Sequence, residues 1–147
     1  MSNIIEYMNS HDLPEVAALE KKVFSEPWTL NGFQTALDLD YTLYLTVRSK
    51  NGTLLGYCGL QASFEEADIT NVCVAPEFRR QGIAREMLTE LMKRGRDRGI
   101  KNYTLEVRAG NKAALELYEQ LGFASAGIRP GFYERPKEDA VIMWKYG

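Results

Sequence analysis

The chain has 147 residues, 45% of them hydrophobic and 26% charged, with a net charge of −2. That length suits one domain spanning 1–147 with a sizeable core, and the charge argues against nucleic-acid binding driven by overall charge. A single histidine, His11, all but excludes a histidine-based metal centre, and it excludes a Ser-His-Asp triad unless His11 serves it.

Cys58 and Cys73 both lie in apolar, strand-like runs and are expected as buried thiols rather than a disulfide or metal site. No stretch reaches the ~18 apolar residues of a membrane span, and the first residues lack a basic region followed by an apolar run. The expectation is a cytoplasmic protein with no metal, no membrane partner and no direct nucleic-acid partner.

Ile4 to Met8 reads as a short first strand. Asp12 can cap the helix that follows, with Pro14 in the first turn and Glu15 as a capping-box partner. Val16, Leu19, Val23 and Phe24 recur there at helical spacing. Pro27 discourages helix at Glu26, and Thr29 can cap a second short helix carrying Leu30, Phe33 and Leu37. Trp28 therefore sits in a loop between two helices, where a role as a core plug is open to it.

Tyr41 to Val47 alternates as a strand, and Asn51-Gly52 signals a hairpin turn. Thr53 to Ala62 returns, Glu65-Glu66 begins a polar turn, and Ala67 to Ala75 is a fourth strand. After Gly82, Ile83, Met87, Leu88, Leu91 and Met92 share one helix face, with Gly95 or Gly99 as the stop. Asn102 to Val107 is a fifth strand and Asn111 to Leu121 a fourth helix ended by Gly122. Phe123 to Ile128 and Ala140 to Lys145 read as two last strands. The order β-α-α-β-β-β-α-β-α-β-β predicts an α/β protein: one mixed sheet, helices on both faces, and parallel pairing in the second half.

The most informative stretch is Val72 to Ala84. A buried strand runs through Pro76 and a basic loop into the third helix. Free N–H groups at a helix N-terminus, with the positive end of the dipole, suit an anionic phosphate. Gly82 allows close backbone approach, and Arg79 and Arg80 add charge. A solvated basic turn explains the same residues. The sequence lacks the Lys-Ser/Thr of a nucleotide-hydrolase loop and the extra glycines of GxGxxG.

Glu106 stands on the fifth strand with Thr104 and Arg108, opposite Tyr103, Leu105 and Val107. Its carboxylate either pairs with Arg108 or solvent, or lies at a cleft as a general base. Asn111, Ala114, Leu115 and Tyr118 share a helix face. Asn111 can cap that helix or bind a ligand. Tyr118 is either a core tyrosine or a proton donor to a departing thiolate.

Arg79-x-x-Gly82-x-Ala84 resembles the acetyl-CoA motif of the GNAT acetyltransferases, and the order of elements matches that fold along nearly the whole chain. The block Leu105 to Phe123 resembles the RimI-type ribosomal-protein alanine N-acetyltransferases, as do Glu26-Pro27-Trp28, Arg129 to Tyr133 and Glu138 to Met143. The resemblance implies a gap between the fourth and fifth strands for the pantetheine arm, with backbone contacts from Val72, Cys73 and Val74. It implies pyrophosphate contacts from Arg79, Arg80, Gln81, Gly82, Ile83, Ala84 and Arg85, and a CoA contact from Asn111. Glu106 corresponds to the proton acceptor and Tyr118 to the proton donor, with Trp28 and Tyr133 on the substrate side. One departure is Gly131-Phe132-Tyr133, where relatives often carry Asn/Gly-Tyr-Tyr. The partners implied by the resemblance are acetyl-CoA and a protein N-terminus, that of a ribosomal protein, with the enzyme a monomer or weak dimer. A small-molecule amine or lysine acetyltransferase, and an acyl-CoA sensor without catalysis, are the alternatives.

Overall fold

In the segment Thr42–Arg48, Leu43, Leu45 and Val47 are buried on one face and Tyr44 on the other. A strand buried on both sides needs cover on both sides. The computed structural model, which describes residues 3–147, shows how that cover is built. Its strands are β1 (Ile4–Tyr7), β2 (Thr42–Arg48), β3 (Leu54–Ser63), β4 (Glu66–Val74), β5 (Asn102–Arg108), β6 (Ala124–Glu134) and β7 (Lys137–Lys145). Its helices are α1 (Leu13–Val23), α2 (Leu30–Leu37), α3 (Ile83–Asp97) and α4 (Lys112–Gln120). The expected order of elements is observed, with 3-10 turns added at Ser10–Asp12 and Pro76–Phe78. One sheet runs β1-β2-β3-β4-β5-β7-β6.

On one face, Ile83, Met87, Leu88, Leu91 and Met92 of α3 pack with Leu43, Leu45, Cys58, Ile69 and Leu105, and α4 joins them through Tyr118. On the other, Leu13 and Val16 of α1 and Phe33 and Ala36 of α2 pack with Tyr44, Tyr57 and Cys73. Each such buried Leu or Met contributes about 1.5–3 kcal/mol relative to exposure. Both cysteines are buried free thiols, as expected.

Several local expectations are corrected. Asn9, not Asp12, caps the first helical turn: its side chain accepts from His11 N–H, and Asp12 answers by accepting from Asn9 N–H at 2.9 Å. Asp12 makes no side-chain cap for α1, and Glu15 instead pairs with Arg48 at 3.0 Å. Phe24 lies just past α1 and is exposed. The β3–β4 turn falls at Phe64-Glu65, with Glu66 already in β4. Of the two expected stops for α3, Gly99, at φ +92°, is the one that ends it, and Gly95 is buried inside the helix beside Tyr103.

Parallel pairing is confined to β4 and β5, over Glu66–Asn102, Ala67–Tyr103 and Asp68–Thr104. The other neighbour of β5 is β7, which is antiparallel. Beyond Asp68 the two strands separate. A register shift opposite Gly59/Leu60 makes Thr70 an extra residue in β4. It turns Asn71 and Cys73 toward α1 and α2, and leaves Val72 and Val74 on the α3 side.

Candidate active site

The parting of β4 and β5 opens a cleft of about 500 Å³, walled by Ile69–Val72 on one side and Leu105–Arg108 on the other. Glu106 and Tyr118 both line it. Strand alternation directs Glu106 away from the α3 core, since Leu105 and Val107 take that core. The expected alternative, pairing with Arg108, does not occur. Arg129 Nε instead stands 3.2 Å from Glu106 Oε2. This is ion-pair distance without hydrogen-bond direction, so Oε2 is buried with no hydrogen-bond donor among the described residues. A buried carboxylate oxygen left in this state is an acceptor available to a ligand.

Tyr118 approaches from α4. Its ring packs edge-on against Phe123 at 5.9 Å, and only 7% of the residue is exposed. Burial, with Tyr133 and Cys58 nearby, pushes its phenol well above the ordinary range. It therefore stays protonated at neutral pH and keeps an O–H donor at the cleft. Asn111 lines the same cleft while its Oδ1 accepts from Ala114 N–H at 3.1 Å, so it caps α4.

Backbone alternation decides which groups of β4 face the gap. Ala75 N–H donates to Leu55 O at 2.8 Å, which places Ala75 and, two residues back, Cys73 toward β3. Val72 and Val74 therefore turn their N–H and C=O groups toward the cleft. The Cys73 backbone belongs to the sheet, and burial pushes its thiol up to about 11. Cys73 is thus placed neither as a backbone contact nor as a nucleophile.

Gly82 sits at the N-terminus of α3 with φ +78°, preceded by Arg80 at φ +65°. No side chain among the described residues caps this end. The first intrahelical bond comes from Glu86 N–H to Gly82 O at 3.0 Å, so the N–H groups of Ile83, Ala84 and Arg85 have no partner within the helix. A Cβ on Gly82 would meet nothing within 4 Å, which shows how open the approach is. Ile83 is buried, leaving its backbone as its contribution. Arg85 is tethered to Gln120 of α4. Arg79, Arg80 and Gln81 surround this end of the helix and do not line the cleft.

The segment between α1 and α2 and the β6–β7 hairpin face each other across the cleft. Trp28 lines it and also packs against Phe33 at 5.3 Å and Tyr44 at 6.4 Å, so it is both wall and plug. Ser25 Oγ donates to Arg135 O, joining the two segments. Tyr133 lines the cleft beneath Arg108, whose guanidinium lies 4.3 Å from its ring centroid. Arg108 donates to Pro136 O, Arg135 O and Glu138 Oε1 at 2.9–3.2 Å, which locks the hairpin to the end of β5. Phe132 stacks edge-on against Tyr133 and does not line the cleft.

Glu20 escaped the reading of the sequence. It is 3% exposed, lines the cleft, and accepts from Tyr57 Oη at 2.6 Å and Trp28 N–H at 3.0 Å. The signal was present, because Leu13, Val16 and Glu20 fall at i, i+3 and i+7 of one buried stripe. A carboxylate on such a stripe must be paired.

Residues 13–123 match the family model described as the acetyltransferase (GNAT) family. The chain is 34% identical over 143 residues to a ribosomal protein bS18-alanine N-acetyltransferase of Escherichia coli, covering 96% of this chain and 95% of that one. It is 35% identical over 144 residues to the protein of the same name from Salmonella typhimurium, with the same coverage of each. The crystal structure of the Escherichia coli ribosomal-protein-S18-alanine N-acetyltransferase superposes with a TM-score of 0.89, covering 99% of this chain and 94% of that one at 33% identity.

Proposed function

The chain belongs to the GNAT acetyltransferase family and is an acetyl-CoA-dependent alanine N-acetyltransferase, and from that premise we propose that its acceptor is the N-terminal alanine of small ribosomal subunit protein 18. In this reading Glu106 is the base and Tyr118 the acid. The observation that carries it is one cleft holding both groups: a carboxylate oxygen without a hydrogen-bond donor on β5 and a buried, protonated phenol on α4.

The amine nitrogen attacks the thioester carbonyl carbon, the C–S bond breaks, the ammonium proton passes to Glu106, and the Tyr118 proton goes to the departing sulfur. An α-amine, with pKa about 7.7–8.0, is partly neutral at pH 7, whereas a lysine near 10.4 is neutral at only ~0.04%. A modest base such as a carboxylate suits the former. Val72 lines the gap, and Val74 turns its backbone groups to the same side of β4, where the pantetheine arm would lie and one N–H would polarise the thioester carbonyl. The open N-terminus of α3, with Arg79 and Arg80 beside it, would hold the pyrophosphate. Trp28 and Tyr133 would flank the acceptor.

Intact-mass analysis with acetyl-CoA and three peptides tests the proposal. The peptides are the alanine-initiated N-terminal segment of protein 18, the same peptide blocked at its N-terminus with a lysine retained, and an unrelated peptide with a free N-terminus. One acetyl group on the first alone is expected. Modification of the blocked peptide moves the assignment to lysine. No modification with acetyl-CoA still bound points to a small-molecule acceptor or a sensor.

A further inference from the structure

One part of the sheet has no helix packed over it among the described residues. Registered neighbours share a face, so Gln61, Asp68, Thr104, Trp144 and Ala124 form a row straight across β3, β4, β5, β7 and β6. This row is opposite the α3 face, because Ala67, Tyr103 and Met143, one residue away on their strands, are in the α3 core. Unlike those residues, Asp68 and Ala124 are exposed and Thr104 and Trp144 half-buried. A second row follows with Glu66 and Asn102 in register and Tyr146 beside them, its ring stacked on Trp144 at 5.5 Å and 7°. Tyr146 is 69% exposed. On its other side the first row borders Glu106, which is in register with Ile142, so the open face begins at the candidate base.

The chemistry of this face is acidic and aromatic. Glu66 and Asp68 take part in no salt bridge among the described residues. Partial burial against the sheet and the charge of Glu106 push the Asp68 carboxyl upward, with Arg129 opposing, so a further cation beside it is favoured. The protein already places one guanidinium here: Arg129 stands by Glu106 and lies 5.6 Å from the Phe132 ring centroid. Carboxylates spaced along a flat aromatic platform suit arginine and lysine side chains on an extended chain.

We infer that the open face from Glu106 through Asp68 and Glu66 to the Trp144–Tyr146 stack is the track for the acceptor polypeptide beyond its first residue, and that it selects acceptors with arginine or lysine in that segment. This rests on the reading of the cleft as the acetylation site. At about 3.3 Å per extended residue, the two to four residues after the acetylated one span these rows. The contacts are partly solvated, so each adds little, and two or three together are worth roughly tenfold in kcat/KM.

The test compares two alanine-initiated peptides of equal length, one with arginines at its third to fifth positions and one with citrulline in their place. The wild-type protein is expected to favour the arginine peptide about tenfold in kcat/KM at low salt. In the double variant Glu66→Gln/Asp68→Asn, and separately in Trp144→Leu, that ratio falls toward one; a merely structural role would lower both peptides together and leave it intact. Equal use of the two peptides by the wild-type protein, or an unchanged ratio in the double variant, overturns the track while leaving the site reading in place. If neither peptide is acetylated, the site reading fails, and calorimetric titration of both into the CoA-loaded protein decides the track. Tighter binding of the arginine peptide, lost in the double variant, supports it, and equal binding overturns it.

Discussion

Glu20 and Tyr57 meet through a 2.6 Å hydrogen bond at the floor of the cleft, and the other oxygen of the same carboxylate receives the Trp28 N–H at 3.0 Å. One buried side chain thus ties α1, β3 and the wall of the acceptor cleft together. Removing it leaves two donors without partners, each costing about 1–3 kcal/mol. Glu20→Ala is therefore expected to lower stability by roughly 2–4 kcal/mol and to raise the acceptor KM, because Trp28 loses its anchor. Urea unfolding and peptide kinetics check this together. Unchanged stability would show that the contact has no energetic weight.

For Glu106, the prediction is separation of chemistry from binding. Glu106→Gln keeps the shape and removes the proton acceptor, so kcat is expected to fall by about 10²–10⁴. Acetyl-CoA affinity, read by calorimetry, should stay near the wild-type value. Full turnover in this variant would remove Glu106 as the base.

Tyr118→Phe removes one oxygen from a buried ring that otherwise packs on Phe123. Turnover is expected to drop about 10- to 100-fold with a change in stability below about 1 kcal/mol. The reverse pattern, lost stability with intact turnover, would return Tyr118 to the core.

Stability should respond to alkali in a defined direction. Tyr44, Tyr57, Tyr103, Tyr118 and Tyr133 are all raised, chiefly by burial, and Cys73 is pushed up to about 11. Unfolding returns these groups to about 8.5 for cysteine and 10 for tyrosine, so above those values the unfolded chain binds fewer protons than the folded one. Stability is expected to be undiminished by these groups below about pH 8.5 and to fall progressively above it, more steeply beyond pH 10. Thermal midpoints measured across that range check the sign; a midpoint that rises with pH would refute it.

Gly82→Ala tests the phosphate loop. Nothing obstructs the added methyl, so its cost comes from the φ of +78° alone. A loss of about 1–2 kcal/mol is expected, together with weaker acetyl-CoA binding as the loop shifts to relieve it. A variant with native affinity for acetyl-CoA would argue against a pyrophosphate seat at this helix end.

Much of this protein was legible before any coordinates. Alternation and helical spacing established the order of elements, the buried faces of β2 and α3, and Glu106 pointing away from the core, because these are local consequences of periods of 2 and 3.6. Gly122 announced the end of α4 because a left-handed backbone favours glycine, and it carries a positive φ. What stayed hidden joins residues far apart in sequence. Ser25 and Arg135 touch across 110 positions, Glu20 and Tyr57 across 37. Arg129 rather than Arg108 stands by Glu106, since Arg108 is taken by Glu138 and the hairpin carbonyls. An extra residue at Thr70 reverses the facing of β4, and no composition signals it. The sequence by itself determined which groups could do the chemistry; which of them share a cleft, and which sheet face remains open beside it, was decided by strand register and by where the helices run out, both collective properties of the packed chain.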